Sequence, residues 1–364
     1  MKYRKLNSGS QSGVVLVVVL IAIAILTTVV VDLVYFTNVD AQITANFKDD
    51  IQTSYIAKSG VNVVAGTLKN RSLEDLEGVV SLYTGDDVNE KGRWSINVPN
   101  FPVGQGVVTM KVIDERSKIN LNALVNANSN RVDLQVKKEL NELFEQIGIE
   151  NSKYDRFIAS LINWLDREVE GSRNDQDPAG ASSGFYLSQE NSYAIKDGHL
   201  DSIEEIRLID GMDTEFFDEV KSYLTVYPPD KRVNFSTAPK VVLLAALKGA
   251  TVSAVEGQGS FADIEMSDDI AEKIADEIIS ERDNEPIITR REVNSIIRNI
   301  DPTLRINSGI AGVCITSGTS ETFYVTAIGI LGQDNPTKKI VDAIIRKRSS
   351  GNNQGVKIIS WKEN

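Results

Sequence analysis

Residues Val14 to Val31 read VVLVVVLIAIAILTTVVV, 18 positions without a charge. Fourteen of them are Val, Leu or Ile. At insertion free energies of about −0.3 to −0.6 kcal/mol each, these sum to about −4 to −8 kcal/mol. A helix needs roughly 20 apolar residues to cross a bilayer, so the run is just long enough. A buried core helix is the competing reading, but this run is apolar on every face and lies at the N-terminus. Lys2, Arg4 and Lys5 precede it. Such a basic head stays on the cytoplasmic side and sends the remaining chain across the membrane.

A cleavable secretory signal has a shorter apolar core and ends in small residues. Here the run ends in Thr27, Thr28, Val29, Val30, Val31 and Asp32, and its small residue, Gly13, lies in front. Basic head, glycine, then hydrophobic helix resembles a type IV prepilin leader. The resemblance implies a cut by prepilin peptidase between Gly13 and Val14 that leaves the membrane helix on the mature chain. Prepilins and most pseudopilins carry Glu at the fifth mature residue, where it pairs with the N-terminal amine of the subunit ahead. That position here is Val18. A carboxylate in lipid needs a partner, so its absence fits a subunit with nothing ahead of it. Among pseudopilins this absence marks the K-type minor subunit, which caps the tip.

The formal net charge is −12, and loss of the three basic head residues takes it to −15. So acidic a body disfavours nucleic acid and anionic lipid. Cys314 is the single cysteine and His199 the single histidine. An intramolecular disulfide and a cysteine-based zinc site are thereby excluded. His199 sits in KDGHLDS, read as a surface loop. No nucleophile elbow accompanies it.

From Asp32 to Asn70 apolar residues recur at Phe36, Val39, Ile43, Phe47 and Ile51, then at Val61, Val64 and Leu68. This is helical spacing. No proline interrupts Val14 to Asn70, which predicts one helix about 85 Å long. Gly60 and Gly66 weaken its far end. The stripe is expected to lie on the body, against the alternative of a plain anchor and linker.

Residues 93–101 and 106–115 alternate as strands do, and 309–318, 321–332, 338–349 and 355–364 also read as strands. Between them, 131–223 reads as helices around a long loop, and 268–297 as two helices turning at Asn284, Glu285 and Pro286. Ala250 to Ser267 reads as a loop. Ser236 and Thr237 are expected to cap a helix that begins near Pro239.

Several segments resemble the K-type minor pseudopilins of type II secretion systems, in family order. They are Asp114, Glu115, Lys118, Ile119, Asn120, Leu121 and Asn122; then LINWLD at 161–166, a Gly/Asp-rich loop, an aromatic pair, and DSIEEIRLIDG at 201–211; then Val233 to Ala238. The resemblance implies an α+β, pilin-like fold. Its parts are a leader at 1–13, a transmembrane helix at 14–31, an amphipathic helix at 32–70 and pilin-like parts at 71–122 and 306–364. An all-α insertion at 123–305 separates the two pilin-like parts. It implies no enzyme but a subunit of the inner membrane with its body in the periplasm. The implied partners are the I- and J-type minor pseudopilins and the major pseudopilin.

Asp166, Glu168, Glu170, Asp175 and Asp177 supply hard oxygens of the kind calcium takes. The family resemblance implies calcium near this loop. Two departures run against it. Asn163 stands where the family has Asp, and Ala181-Ser182-Ser183 where it has Ala-Glu-Asp.

Other classes are a membrane-anchored calcium-binding or hydrolytic envelope protein, a type IV pilus minor subunit and a DNA-binding uptake component. The last draws on a helix-hairpin-helix likeness over 233–297, which lacks the phosphate-binding glycine hairpin and is crowded by acids from Asp263 to Glu277.

Overall fold

The computed structural model describes residues 11–70, 80–82, 90–126, 128–167, 176–228, 230–255, 261–284, 288–305, 314–315, 320–332, 335–348 and 355–363. Helix α1, Gln11–Asn70, is continuous. Three strands follow, β1 (Val80–Leu82), β2 (Trp94–Val103) and β3 (Gly106–Asp114). Then come helices α2 (Leu134–Ile147), α3 (Asn151–Leu165), α4 (Ser183–Leu187), α5 (Thr214–Val220), α6 (Lys240–Gly249), α7 (Asp268–Asn284) and α8 (Arg290–Ile300). The chain closes with β4 (Thr322–Leu331), β5 (Thr337–Arg348) and β6 (Gly355–Glu363).

The six strands form one antiparallel sheet in chain order β1 to β6. β3 pairs directly with β4, so the helices lie between two neighbouring strands. The helical block is therefore an insertion into a pilin-like sheet.

Helix α1 lies across one face of that sheet. Ile56, Ala57, Val61, Val64 and Leu68 pack on Val108, Met110 and Val112 of β3, on Phe323, Val325 and Ala327 of β4, and on Val341, Ala343 and Ile345 of β5. The contact is close because two glycines allow it. A Cβ on Gly329 would lie 2.5 Å from the Thr53 carbonyl oxygen and 2.8 Å from the Ala57 nitrogen. One on Gly60 would lie 2.6 Å from a Val108 methyl. Gly60 therefore does not break the helix; it lets the helix meet the sheet. Asp50 pairs with Lys339 and Lys58 with Glu363, each at 3.0 Å, along the helix flanks.

The stripe expected to lie on the body does so only in its far part, at Val61, Val64 and Leu68. Phe36, Ile43, Phe47, Ile51 and Tyr55 are exposed. The packing residues begin only at Thr53, and their mean direction lies about 100° round the helix from that of Phe36 to Tyr55 at 100° per residue. Periodicity located an apolar stripe but could not say how far along it the sheet would reach.

The insertion has its own core. Phe144 meets Phe216 edge to face at 5.1 Å, and Trp164 meets Tyr186 at 5.4 Å. Asp133 caps α2 by accepting from the Gln135 and Val136 amides, and Gly148 ends it at φ 91°. Leu134 is exposed at the first turn of α2, and Val136 is buried. Ala250 to Ser267 is not a plain loop. Thr251–Val255 pairs antiparallel with Phe261–Glu265, following the alternation of apolar and polar residues there.

Glu139 on α2 is fully buried, its Cγ packed where Gly249 of α6 has no side chain. Neither carboxyl oxygen has a hydrogen-bond partner among the described residues. Burial pushes its pKa well up, opposed by Lys231 and supported by Asp133. The folded chain thus holds a proton that the unfolded chain releases near 4.5. Stability is fully present below that value and falls as pH rises, by up to about 1.4 kcal/mol per unit, until the folded value is reached.

Two outcomes are expected. Gly329→Val forces α1 off the sheet and should cost about 3 kcal/mol or more in chemical denaturation. Glu139→Gln keeps the volume and removes the titration. It should match the parent at pH 4 and exceed it increasingly from pH 5 to 8; identical pH profiles of the melting temperature would refute the buried-proton account.

Candidate functional site

Gly13, Val14 and Val18 lie on the first turns of α1. A Cβ on Gly13 would meet nothing within 4 Å. Val14 and Val18 are exposed, as is every side chain of the apolar run from Val14 to Val31. The helix is long and apolar enough to cross a membrane, and its apolar window buries nothing in the body. Thr27 and Thr28 hide their hydroxyls by donating to the Ile23 and Ala24 carbonyls at 2.8 and 2.9 Å. Beyond the span, Phe36, Ile43, Phe47 and Tyr55 carry the apolar surface up the stalk, with Phe47 at 65% and Tyr55 at 68% exposure. It ends in a cleft lined by Gln52, Tyr55, Ile56, Val103, Gln105 and Leu331, at the foot of the sheet.

The expected calcium loop is partly described. Asp166 is buried and accepts from the Asn130 amide, which also donates to the Arg167 carbonyl at 2.9 Å. Asp177 accepts from the Ala179 amide at 3.0 Å and pairs with Lys137 at 3.4 Å. Glu168, Glu170 and Asp175 lie outside the described residues. Among the described residues, no three His, Cys, Asp or Glu side chains converge on a metal position. Calcium takes six to eight oxygens, so Asp166 and Asp177 alone do not fit it. The expectation rests on Glu168, Glu170 and Asp175.

Asn163, the departure from the family's Asp, has a job that Asp could not do. Its Nδ2 donates to the Asp177 carbonyl at 3.0 Å and to the Ala181 carbonyl at 3.3 Å, while its Oδ1 accepts from the Asp177 amide at 2.8 Å. An amide both donates and accepts; an ionised carboxylate only accepts. Asn163 thereby ties the far limb of the loop to α3.

The segment 114–122 is a clasp between sheet and insertion. Asp114, at the end of β3, is fully buried. It accepts from the Arg116 amide at 2.9 Å, Asn234 Nδ2 at 3.0 Å, Thr237 Oγ1 at 2.7 Å and the Ser320 hydroxyl. Burial pushes its pKa up and these four donors pull it back. Glu115 binds Lys118 and Thr225. Asn122 spends its whole amide, donating to the Leu200 and Val226 carbonyls and accepting from the Leu200 amide.

Ser236 and Thr237 do not cap α6, whose N-cap is Pro239 without a side-chain bond. Thr237 bonds Asp114, and the Ser236 hydroxyl bonds both the amide and the carbonyl of Ile288 at 3.1 Å. Buried hydroxyls here found partners distant in sequence, which a local capping rule cannot see. Ser320 was not singled out by the sequence for the same reason.

His199 is half-buried in its loop, where burial and the cations Arg167 and Lys196 lower its pKa. The acids of α7 are met by the chain's own lysines: Lys240 reaches Asp276 at 2.8 Å, and Lys248 reaches Asp268 at 3.0 Å. That surface offers no excess of cations to a phosphate.

Residues 117–229 match the family model of the type II secretion system protein K. The chain is 23% identical over 254 residues to the type II secretion system protein K of Klebsiella pneumoniae, covering 68% of this chain and 73% of that one. It is 23% identical over 232 residues to the protein K of Pectobacterium carotovorum subsp. carotovorum, covering 62% and 66%. Its fold is similar to a chain of the crystal structure of the GspK-GspI-GspJ complex from the enterotoxigenic Escherichia coli type 2 secretion system. The TM-score is 0.56 at 15% identity, covering 88% of this chain and 99% of that one. The chain resembles the K proteins of type II secretion, a structural family of pseudopilins, and the matched stretch 117–229 contains the loop and Asn122 of the clasp, while Asp114 and its partners Asn234, Thr237 and Ser320 lie outside it.

Asp114→Ala should leave three buried donors without their acceptor and cost about 3 kcal/mol or more. Asp114→Asn sets an NH2 group against those donors and should cost about 1–3 kcal/mol. A loss under about 0.5 kcal/mol in either variant, read by chemical denaturation, would show that the clasp is not what couples the two cores.

Proposed function

We propose that this chain is the K-type minor pseudopilin of a type II secretion system, anchored in the inner membrane by α1 with its body in the periplasm. In this reading it joins the I- and J-type minor pseudopilins in a complex that primes the pseudopilus and stays at its tip. The major pseudopilin then adds below it. No catalytic role belongs to the reading.

One observation carries it. The apolar surface of α1 does not stop at the membrane boundary but climbs the stalk through Phe36, Ile43, Phe47 and Tyr55 to the foot of the sheet. The chain's own sheet uses a different side of the same helix. An anchor needs no such stripe above the bilayer; a helix that packs beside other helices does. The likeness to a chain of the GspK-GspI-GspJ complex supports the same arrangement. Tip placement rests on Val18, which cannot supply a carboxylate to a subunit ahead, and on the bulk of the insertion, which sits between β3 and β4.

The test has two readouts. Coexpressed with prepilin peptidase, the purified chain should begin at Val14 by intact mass, with the apolar helix retained. Tagged and drawn from membranes in mild detergent, it should bring the I- and J-type subunits with it. Phe47→Glu should lower that recovery about tenfold, the scale of a lost apolar anchor. A start at Met1, or recovery of neither subunit, would remove the reading.

A further inference from the structure

The sheet has a second face, and α1 does not cover it. Register places the side chains opposite the α1 face in rows across the strands. One row is Ile113, Tyr324, Ile344 and Ser360. The next is Lys111, Thr326, Asp342 and Lys362. Then come Thr109, Ile328 and Ile340, and last Val107, Ile330 and Lys338. Arg346 and Lys357 stand side by side above them. The isoleucines are half-buried rather than sealed.

The charge of this face opposes that of the molecule. On β5 and β6 it carries Lys338, Arg346, Lys357 and Lys362 against Asp342, while Lys339, Lys347 and Glu363 alternate to the α1 side, on a chain of net charge −12. Lys111 adds one more from β3. Of the five cations on the outer face, only Lys362 has an ion pair among the described residues, at 3.7 Å to Glu204. The single acid, Asp342, accepts from Thr326 at 2.8 Å. An apolar centre rimmed by cations suits an acidic, partly apolar protein surface.

Two other occupants fit less well. Asp50, paired with Lys339 at the foot of β5, stands 19 residues beyond Val31. At 1.5 Å per residue the face begins about 28 Å above the apolar span, several Debye lengths from the headgroups. The sheet edge is also guarded. β6 carries Lys357 and Lys362 and a register shift opposite Ile344 and Ile345, features that discourage an added strand. The insertion takes the upper end, where Lys118 sits 5.1 Å from the centre of the Tyr324 ring, so the face below Tyr324, not the edge, is the surface on offer.

We propose that this outer face, centred on Ile328 and Ile340 and rimmed by Lys111, Lys338, Arg346, Lys357 and Lys362, docks the acidic body of a second minor pseudopilin, while the α1 stripe takes the first. The proposal rests on the tip-complex reading above. A partner on the same kind of stalk is held at the same height, which raises its effective concentration at this face. The two surfaces do not overlap, so one chain seats two partners at once.

The experiment uses the full-length chain, coexpressed with its I- and J-type partners and captured in mild neutral detergent. K111E/K338E/K357E reverses three exposed or rim cations and should melt as the parent does. It should lose one partner about tenfold or more and keep the other, and parental capture of that same partner should fall as NaCl rises from 50 to 400 mM. Phe47→Glu should show the opposite selectivity. Retention of both partners by the reversed variant, at either salt, overturns the proposal and leaves the tip-complex reading standing. Failure of the parent chain to capture either partner overturns both. Self-association of the parent chain, abolished by the reversal in sedimentation, assigns the face to a second copy and also overturns it.

Discussion

The close approach of α1 to the sheet is the contact on which the rest depends. Helices and sheets pack with side chains between them, and two glycines facing that gap bring the backbones nearer than usual. Gly329 sits under the Thr53 carbonyl and the Ala57 amide, and Gly60 sits over Val108. This seats a rigid rod on a platform in one orientation. Because the rod is a single unbroken helix, that orientation is transmitted to the membrane segment. It also decides which side of the rod is left for other chains.

The second constraint is how an insertion of this size is carried without loosening the sheet. The two apolar cores are separate clusters, one under α1 and one among the helices. Apolar contact alone would let them slide, since hydrophobic attraction has no direction. The seam is polar and buried instead. Asp114, Asn122, Asn234 and Thr237 are each largely satisfied in one geometry only, and an unsatisfied buried group is expensive. The clasp thus adds register to contact. It also explains why Asn recurs in this segment: an amide can donate and accept at once, and Asn122 does both with Leu200.

A chain built this way has three faces with different chemistry. One side of α1 is committed to the sheet, another is apolar and exposed, and the outer sheet face is apolar with a basic rim. An acidic protein that gathers cations on one face has arranged charge for recognition more than for solubility.

The amino-acid sequence by itself determined the membrane helix, because 18 uncharged residues are poorly placed in water, and it determined β2 to β6 of the sheet through their alternation, though not the short edge strand β1. It also determined the helices of the insertion, whose apolar spacing and end residues such as Asp133 and Gly148 are local signals. The motif segments were legible as a structural entry to the insertion. Only the tertiary structure decided what those residues hold. Ser236 and Thr237 look like caps and are staples, because their partners lie tens of residues away. The stripe from Phe36 to Ile51 looks like a packing face and is free, because the sheet meets the rod only from about Thr53 onward, and helical spacing does not record how far a sheet reaches. The closeness of that meeting was set by Gly60 and Gly329, whose missing side chains become meaningful only when the two surfaces are brought together.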